Sequence, residues 1–498
     1  MSNFAKRRIW KYFLVLRPEE KLKFDAWLGL ELQDRQLSVQ RLWQNLLCLD
    51  ETEISLSSEG KFCIEQKLWS NIYPGEDFDD SRFRKLSEQL IRHLEEFLAI
   101  EGFRKDRTSK DLYLLRELGL RNSFQLFQTI YRKVKSRLNR RVIRNEQFFR
   151  DHTLFDREFL KYKAKIGSQV KFGLSDFFQS FDKWRLIEQA NMLIYQLFKP
   201  EEAPSPVVKA NYFFEQLKSH EEYSQEPLLH IYTLLFELLT GKSEEFQTYL
   251  NLLNSYTYQF DRETLQFIYV FSTNYIVRKA NSTRETKYYE QYADLMHWGL
   301  TQKLLFINGM LPSRSYKNLI STQVILAKKL EGNLKLKRIN KAEEYLESLK
   351  DYLPEKERED AYRFNKALYY FTIGKYDKVE ASLGKTAFSN INPGLAVQGR
   401  LYGLMARYEM EEYTYLATAI KSLKRYVQIH TKKDLNIGSY NLLLKHLRFF
   451  NRLVQAYTVE DYAKLRKAVE KEPKIYEKNW LIEKIDAKLP SSRLLNTN

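Results

Sequence analysis

Helix-breaking residues are scarce in this chain of 498 residues, which holds 17 glycines and 11 prolines. Glycine and proline destabilise helix interiors and supply most turns, whereas leucine, lysine, glutamate and arginine favour helices. Along nearly the whole sequence, apolar residues recur three and four apart rather than two apart, which is the period of an amphipathic helix. The sequence therefore predicts an all-α fold and argues against sheets.

Cysteine is also nearly absent, since Cys48 and Cys63 are the only two in the chain. Two cysteines are too few for a disulfide framework, and these two show no metal-ligand spacing. We expect both to be buried thiols, because free cysteine is among the most buried residue types. The usage predicts a reducing compartment, and we expect a cytoplasmic protein.

Long hydrophobic runs are missing as well. The most apolar stretch, "PLLHIYTLLFELL" at 227–239, is shorter than a bilayer span and contains His230 and Glu237. An apolar run near the start of the chain is interrupted by Lys11 and is not followed by a small-residue cleavage site. We therefore expect no membrane insertion.

Sequence motifs of catalysis are lacking. The tripeptide "GKS" at 241–243 resembles the end of a nucleotide-binding loop, but Phe236 stands where the loop needs its leading glycine. We interpret Gly241 as the end of one helix and Ser243 as the N-cap of the next. No catalytic residue is assigned, no cofactor is expected, and we do not expect an enzyme. An active site assembled from scattered residues is left open.

The seven histidines are not paired at metal-ligand spacing on any predicted helix. In the segment "DHTLFD", Asp151, His152 and Asp156 fall within little more than one helical turn and could hold a cation. We expect these residues to cap a helix N-terminus and to face solvent, because such triplets arise often by chance. No metal site is predicted.

Turn-forming residues divide the chain into parts, with the proline cluster of Pro200, Pro204 and Pro206 as the best candidate boundary. The predicted parts are a helical head at 1–100, a basic long-helix section at 101–198, a superhelix of helix pairs at 206–488 and a flexible tail at 489–498. Within the head, helices are expected near 3–16, 18–28, 38–49, 61–72 and 80–100. Pairs of about 35–45 residues in the third part suit a helical-repeat array, in which each pair covers the apolar face of its neighbour.

One segment of the third part carries a specific pattern. In "NKALYYFTIGKYDKVEASL" the small, turn, aromatic and apolar positions of a tetratricopeptide helix pair are occupied by Ala367, Gly374, Tyr376, Val379 and Leu383. This segment resembles the tetratricopeptide family over one repeat, and 400–420 is similar to a second copy with Gly403 at the close-packing position. The resemblance implies a right-handed superhelix of antiparallel helix pairs, with a concave groove that holds peptides or partner helices.

We expect that groove to include Tyr369, Tyr376, Arg400 and Tyr402, although each tyrosine could instead belong to the core between repeats. In length and helix content the chain also resembles long all-helical bacterial proteins, a general resemblance that transfers no residues. The leading hypothesis is a non-catalytic binding scaffold or adaptor that holds a protein or peptide partner in a helical-repeat groove.

Acidic residues are missing from part of the middle section. No acidic residue lies between Glu117 and Glu146, and residues 101–175 hold 19 Lys or Arg against 8 Asp or Glu, or +11 of the chain's net charge of +17. An apolar stripe with helical spacing runs through this segment and consists of Phe124, Phe127, Tyr131, Val134, Leu138 and Val142. Opposite that stripe, one long helix would align four cations, namely Lys133, Arg137, Arg140 and Arg144.

An ordinary solvated helix face mixes charges, because oppositely charged pairs stabilise it and like charges in line repel. Three explanations for the basic row stay open. A partner with phosphates could neutralise it, an acidic segment elsewhere in this protein or in another copy could cover it, or it could face solvent. Nucleic acid bound through these four residues is thus the alternative function, although the buried stripe leaves no aromatic platform for stacking bases.

Overall fold

The computed structural model describes residues 7–32, 37–49, 63–166, 174–197, 206–383, 393–430 and 437–490. Within these ranges the chain forms 24 α-helices and no β-strand. The all-α prediction is therefore confirmed. None of the helices in the described ranges is long and apolar enough to cross a membrane. Most of the predicted tail at 489–498 lies outside the described residues.

Two compact units make up the chain. The first consists of Met1–Arg141 and Gln147–Trp184, and the second of Val142–Glu146 and Arg185–Asn498. The predicted head thus shares a unit with most of the predicted basic section. Of the proline cluster, Pro206 begins a helix, and Pro200 and Pro204 lie outside the described residues.

The helices of the first unit are α1 (Arg8–Val15), α2 (Pro18–Leu32), α3 (Leu37–Leu47), α4 (Ile64–Ile72), α5 (Asp80–Lys105), α6 (Arg107–Leu120), α7 (Phe124–Asn139) and α8 (Glu146–Ile166). Helix α9 (Leu174–Gln196) starts in the first unit and ends in the second. The five helices expected in the head are present as α1 to α5, within a few residues of their predicted bounds.

Aliphatic and aromatic side chains together form the core of the head. Phe24 of α2 meets Trp43 of α3 and Phe97 of α5 edge to face, with ring centroids 4.7 and 5.3 Å apart. All three rings are buried. Such aromatic pairs add to the free energy gained from burying their area.

The two cysteines differ from expectation, because both thiols are free and exposed. Cys48 follows the last residue of α3, and Cys63 directly precedes α4. Both thus lie at helix ends, outside the buried faces that the core helices present to each other. The prediction of buried thiols is wrong for this reason.

The remaining helices of the second unit are α10 (Pro206–Ser219), α11 (Glu221–Ser224), α12 (Pro227–Thr240), α13 (Phe246–Tyr256), α14 (Arg262–Thr283), α15 (Thr286–Thr301), α16 (Ser313–Lys329), α17 (Gly332–Ser348), α18 (Glu355–Thr372), α19 (Tyr376–Leu383), α20 (Pro393–Glu409), α21 (Leu416–His430), α22 (Ile437–Val454), α23 (Val459–Lys471) and α24 (Lys478–Asp486). Sequential helices pack on each other except for α13 and α14, and α16 also packs on α18, which packs on α20. Each helix from α16 to α20 therefore covers its apolar face with chain neighbours.

Two glycines have the roles that their positions predicted. Gly374 lies between α18 and α19 with φ of +74°, a conformation that other residues adopt only with strain. Gly403 of α20 lies so close to α19 that a Cβ there would be 3.0 Å from Leu383 Cδ1. Gly241 likewise ends α12 in the left-handed conformation, whereas the next long helix begins at Phe246 after Glu245, so that Ser243 is not its N-cap.

The turn at Gly374 predicts that two glycine-to-alanine substitutions change the free energy of unfolding in opposite directions. Gly374→Ala should destabilise the protein by about 1 kcal/mol, since the left-handed backbone conformation is higher in free energy for alanine than for glycine. Gly102→Ala should stabilise it by about 0.5 kcal/mol, because Gly102 lies inside α5 with open space around a new Cβ. Urea unfolding followed by circular dichroism measures both, and equal shifts of the same sign would contradict the assigned turn geometry.

Candidate functional site

The basic segment does not form one helix to its end. Helix α7 stops at Asn139, Arg140 follows it, and Arg144 lies beyond the helix, where its backbone N–H donates to Gln259 O at 2.7 Å. The prediction of four cations along one helix face is therefore wrong in its geometry. Lys133 and Arg140 are exposed. Phosphate binding by these residues stays a prediction.

Acidic residues of neighbouring helices form ion pairs with several of the cations in and after α7. Arg137 forms an ion pair with Asp111 of α6. Arg141 donates to Asp151 of α8 at 2.6 Å and to Thr108 of α6 at 2.8 Å. An acidic surface of the same protein thus covers part of the basic segment, which is the second of the three explanations for its charge.

The most buried of these interactions centres on Asp156 of α8, which is 1% exposed. Lys135 of α7 donates to both of its carboxylate oxygens, at 2.7 and 2.5 Å. The Tyr131 hydroxyl donates to the same carboxylate at 2.6 Å, and His152 Nδ1 lies 3.1 Å from Lys135 Nζ. A buried charge needs such partners, because an unpaired one is very costly.

These contacts replace the surface interpretation of Asp151, His152 and Asp156, since all three are buried along α8. Burial raises the pKa of Asp151 even though Arg141 and Gln147 stabilise its charged form. The described residues contain no group of three or more His, Cys, Asp or Glu that could hold a metal ion. The Lys135–Asp156 pair therefore joins α7 to α8, and the Arg141–Asp151 pair joins the segment after α7 to α8.

The sequence carried a usable sign of this arrangement. On α8 the buried aromatics Phe148, Phe155 and Tyr162 recur every seven residues, and Asp151 and Asp156 fall three residues after Phe148 and one after Phe155. Acids so close to an apolar stripe belong partly to the buried face. Their cationic partners could not be assigned, because ion pairs between helices depend on tertiary packing.

Removal of the Asp156 charge should destabilise the first unit. Asp156→Asn leaves the Lys135 ammonium in a partly buried place without its counter-charge, and we expect a loss of about 3 kcal/mol in the free energy of unfolding. The matched control is Glu117→Gln, since Glu117 pairs with Arg121 where both side chains are more than half exposed. That change should cost less than about 0.5 kcal/mol. Similar losses for both variants in urea unfolding would refute the buried ion-pair argument.

Two of the predicted groove tyrosines lie in the core. Tyr369 is 6% exposed and Tyr402 is 3% exposed. The Tyr402 hydroxyl donates to Glu477 Oε1 at 2.8 Å and lies 3.1 Å from the Tyr476 hydroxyl. Burial raises the pKa of Tyr402 well above its usual value. The assignment of Tyr369 and Tyr402 to a partner groove is corrected accordingly, because their contacts are internal.

The other two groove residues are partly accessible. The ring of Tyr376 packs edge to face on Phe371, with centroids 5.5 Å apart. The Arg400 guanidinium lies over the ring of Tyr426, 4.4 Å from its centroid. Both side chains are half-buried and already have contacts within the unit. Partner binding by Tyr376 and Arg400 stays a prediction.

A cleft of about 850 Å³ lies between α15, α16 and α17 of the second unit. Its lining is Ala293, Asp294 and His297 of α15, Gln323 of α16, and Asn333, Leu336, Lys337, Arg338, Asn340, Lys341, Glu344 and Tyr345 of α17. The volume falls in the range of ligand-binding pockets. This cleft is the candidate functional site.

The floor of the cleft is held by two hydrogen bonds, each of which joins a buried side chain to a more accessible one. Tyr345 and Gln323 are each 3% exposed. The Tyr345 hydroxyl lies 3.1 Å from His297 Nδ1, and Arg338 donates to Gln323 Oε1 at 3.4 Å. Burial raises the pKa of Tyr345 to about 12, so that its hydroxyl stays protonated. Three helices thus fix these polar groups in place.

The rim of the cleft mixes charge with one apolar side chain. Lys341 forms an ion pair with Glu344 at 2.7 Å and lies over the Tyr345 ring, 4.9 Å from its centroid. Lys337 is exposed, and beside it Leu336 is 57% exposed. The arrangement offers charges of both signs, amide groups and an apolar anchor, which suits a polar chain better than a small apolar molecule.

The sequence did not predict the cleft, because its lining comes from three helices and from residues up to 52 positions apart along the chain. Its one local signal is in "NLKLKRINK" at 333–341, where Leu334 and Leu336 alternate with lysines. Such alternation does not fit the buried stripe of a helix, and both leucines are exposed.

Comparison with known proteins finds no matching family model, no similar curated protein and no similar solved structure.

Proposed function

We propose that this protein is a non-catalytic binding scaffold, and that the cleft between α15, α16 and α17 holds a segment of a protein or peptide partner. The observation that carries the proposal is the cleft itself, which combines a hydrogen-bonded floor with a charged rim. Side chains that are already held by hydrogen bonds favour binding, because they lose little conformational entropy when a partner docks. The free, exposed cysteines fit a reducing compartment, and we propose the cytoplasm.

The lining favours a peptide over a small apolar ligand. Leu336 is the exposed apolar side chain at the rim, and Lys337, Glu344 and the two asparagines surround it. A peptide can place one apolar side chain against Leu336 while its backbone amides meet the asparagines. Charged residues on either side can then meet the rim, which gives specificity through complementary charge.

The packing of the second unit supports a tetratricopeptide-like arrangement. Helices α16, α18 and α20 contact one another in order, while α17 and α19 each pack on the helices that precede and follow them in the chain. Gly374 and Gly403 occupy the turn and close-packing positions that the family pattern requires. We propose that this part of the chain is a right-handed superhelix of helix pairs, which would extend the partner surface beyond the cleft.

Paired variants of α17 test the cleft. Twelve-residue peptides selected from a phage library on the immobilised protein are resynthesised, and their dissociation constants are measured by calorimetry. Leu336→Ser and Lys337→Glu should each weaken binding about tenfold or more, since each removes a contact at the rim. The matched controls are Leu334→Ser and Lys335→Glu, which change similarly exposed residues outside the lining. Equal weakening by both pairs, or no selected peptide, would reject the cleft as the binding site.

Nucleic-acid association is the second candidate, favoured by the exposure of Lys133 and Arg140. Neither side chain has an ion pair among the residues that the structure describes. With Arg137 paired to Asp111, about two phosphate contacts are expected rather than four. The logarithm of the affinity for duplex DNA should then fall against that of salt with a slope near −1.8, or about tenfold from 50 to 200 mM.

Fluorescence anisotropy with labelled duplex DNA measures this slope. The double variant Lys133→Glu, Arg140→Glu should abolish binding. Arg121→Glu is the control for a single charge reversal, because Arg121 is an exposed residue of the same unit. Binding that survives the double reversal would exclude this surface as the nucleic-acid site.

A further inference from the structure

Side chains of α16, α18 and α20 meet in two rows, of which the first draws on all three helices and the second on α16 and α18. In the first row, Lys317 Nζ of α16 donates to Gln398 Oε1 of α20 at 2.9 Å and lies 5.8 Å from the ring centroid of Phe364 on α18. The second row lies about three helical turns further along α16, where Lys328 Nζ is 5.9 Å from the ring centroid of Phe371 on α18. Each row begins with a lysine over a phenylalanine.

The two lysines differ in their counter-charge. Lys328 has the carboxylate of Glu477 at 3.7 Å, supplied by the segment between α23 and α24. Lys317 has a neutral amide oxygen as its hydrogen-bond partner, and no carboxylate of the described ranges lies within ion-pair distance of it. Lys317 is half-buried, and a cation withdrawn from water without a counter-charge is unfavourable.

A neighbouring positive charge makes the charged form of Lys317 still less favourable. On α16 the nearby charged group is Arg314, one helical turn away, and the facing side chains from α18 and α20 are the uncharged Phe364 and Gln398. Burial first, and the positive charge of Arg314 second, lower the pKa of Lys317 to about 8. A negative group placed here would relieve both effects.

We propose that Lys317 and Arg314 bind a carboxylate side chain of an acidic peptide segment. Glu477 shows which group such a position accepts, because this carboxylate meets the lysine of the second row. The lining of the α15–α17 cleft includes neither Lys317 nor Arg314. The inference therefore names a second contact site for the proposed peptide partner, and it rests on the proposed function only in taking that partner to be a peptide.

Proton uptake distinguishes this site from ordinary electrostatic attraction. A bound carboxylate favours the charged form of Lys317. At pH 7 this lysine is already protonated, whereas at pH 9 it has to take up a proton when the carboxylate binds. Affinity should fall about tenfold between pH 7 and pH 9. An exposed lysine with a pKa near 10.4 would give almost no change over that interval.

Fluorescence anisotropy with labelled hexaglutamate, at low salt, tests the site, with hexaglutamine as the neutral probe. We expect hexaglutamate alone to bind, and Lys317→Met to weaken it about tenfold or more. Lys317→Arg should retain binding but lose the pH dependence, because arginine stays charged throughout. Lys335→Met, which removes an exposed lysine of α17, should leave both the affinity and its pH dependence unchanged.

The site is rejected if hexaglutamate does not bind, if hexaglutamine binds equally well, or if Lys317→Met has the same affinity as the unmodified chain. Binding that is independent of pH would also reject it, and this readout needs no variant that could misfold. Selected peptides that still depend on Leu336 while hexaglutamate fails would overturn this inference alone and leave the cleft proposal standing.

Discussion

Every level of this structure depends on the coverage of one helix's apolar face by its neighbours in the chain. An isolated amphipathic helix gains little in water, and most of its stability comes from burying that face. In the head, one apolar core joins five helices. In the second unit, α16, α18 and α20 cover one another in order. With few glycines and prolines to form other structures, helix-on-helix burial is the main source of order that the sequence provides.

Charge is arranged within the limits that this packing sets. Where α7 lies against α6 and α8, lysine and arginine side chains pair with buried or half-buried carboxylates, as Lys135 does with Asp156. Where α16 meets α18 and α20, one lysine has its carboxylate and another lies beside an amide. Ion pairs thus hold cations of the first unit against their neighbouring helices, whereas the lysine beside the amide in the second unit is the site proposed for a partner's carboxylate.

Helical periodicity predicted the fold class and the helices of the head, because those features depend on residues close together in the chain. The stripe on α7 was predicted in part, since Phe127, Val134 and Leu138 are buried while Phe124 and Val142 are exposed. The cationic row was misjudged, because the helix end at Asn139 and the partners Asp111 and Asp151 depend on tertiary contacts. The cleft could not be predicted from sequence patterns either, because it is formed by tertiary contacts among three helices.

The pairing of Lys135 with Asp156 also limits how this protein can evolve. A substitution of either residue alone leaves a charge without its partner in a buried place, whereas a joint change to two apolar residues can keep the fold stable. The two positions are therefore epistatic: each sets which substitutions the other tolerates. Tyr131 and His152, which contact the same pair, belong to this coupled set, so that sequence drift along the α7–α8 boundary has to proceed by groups of residues rather than one at a time.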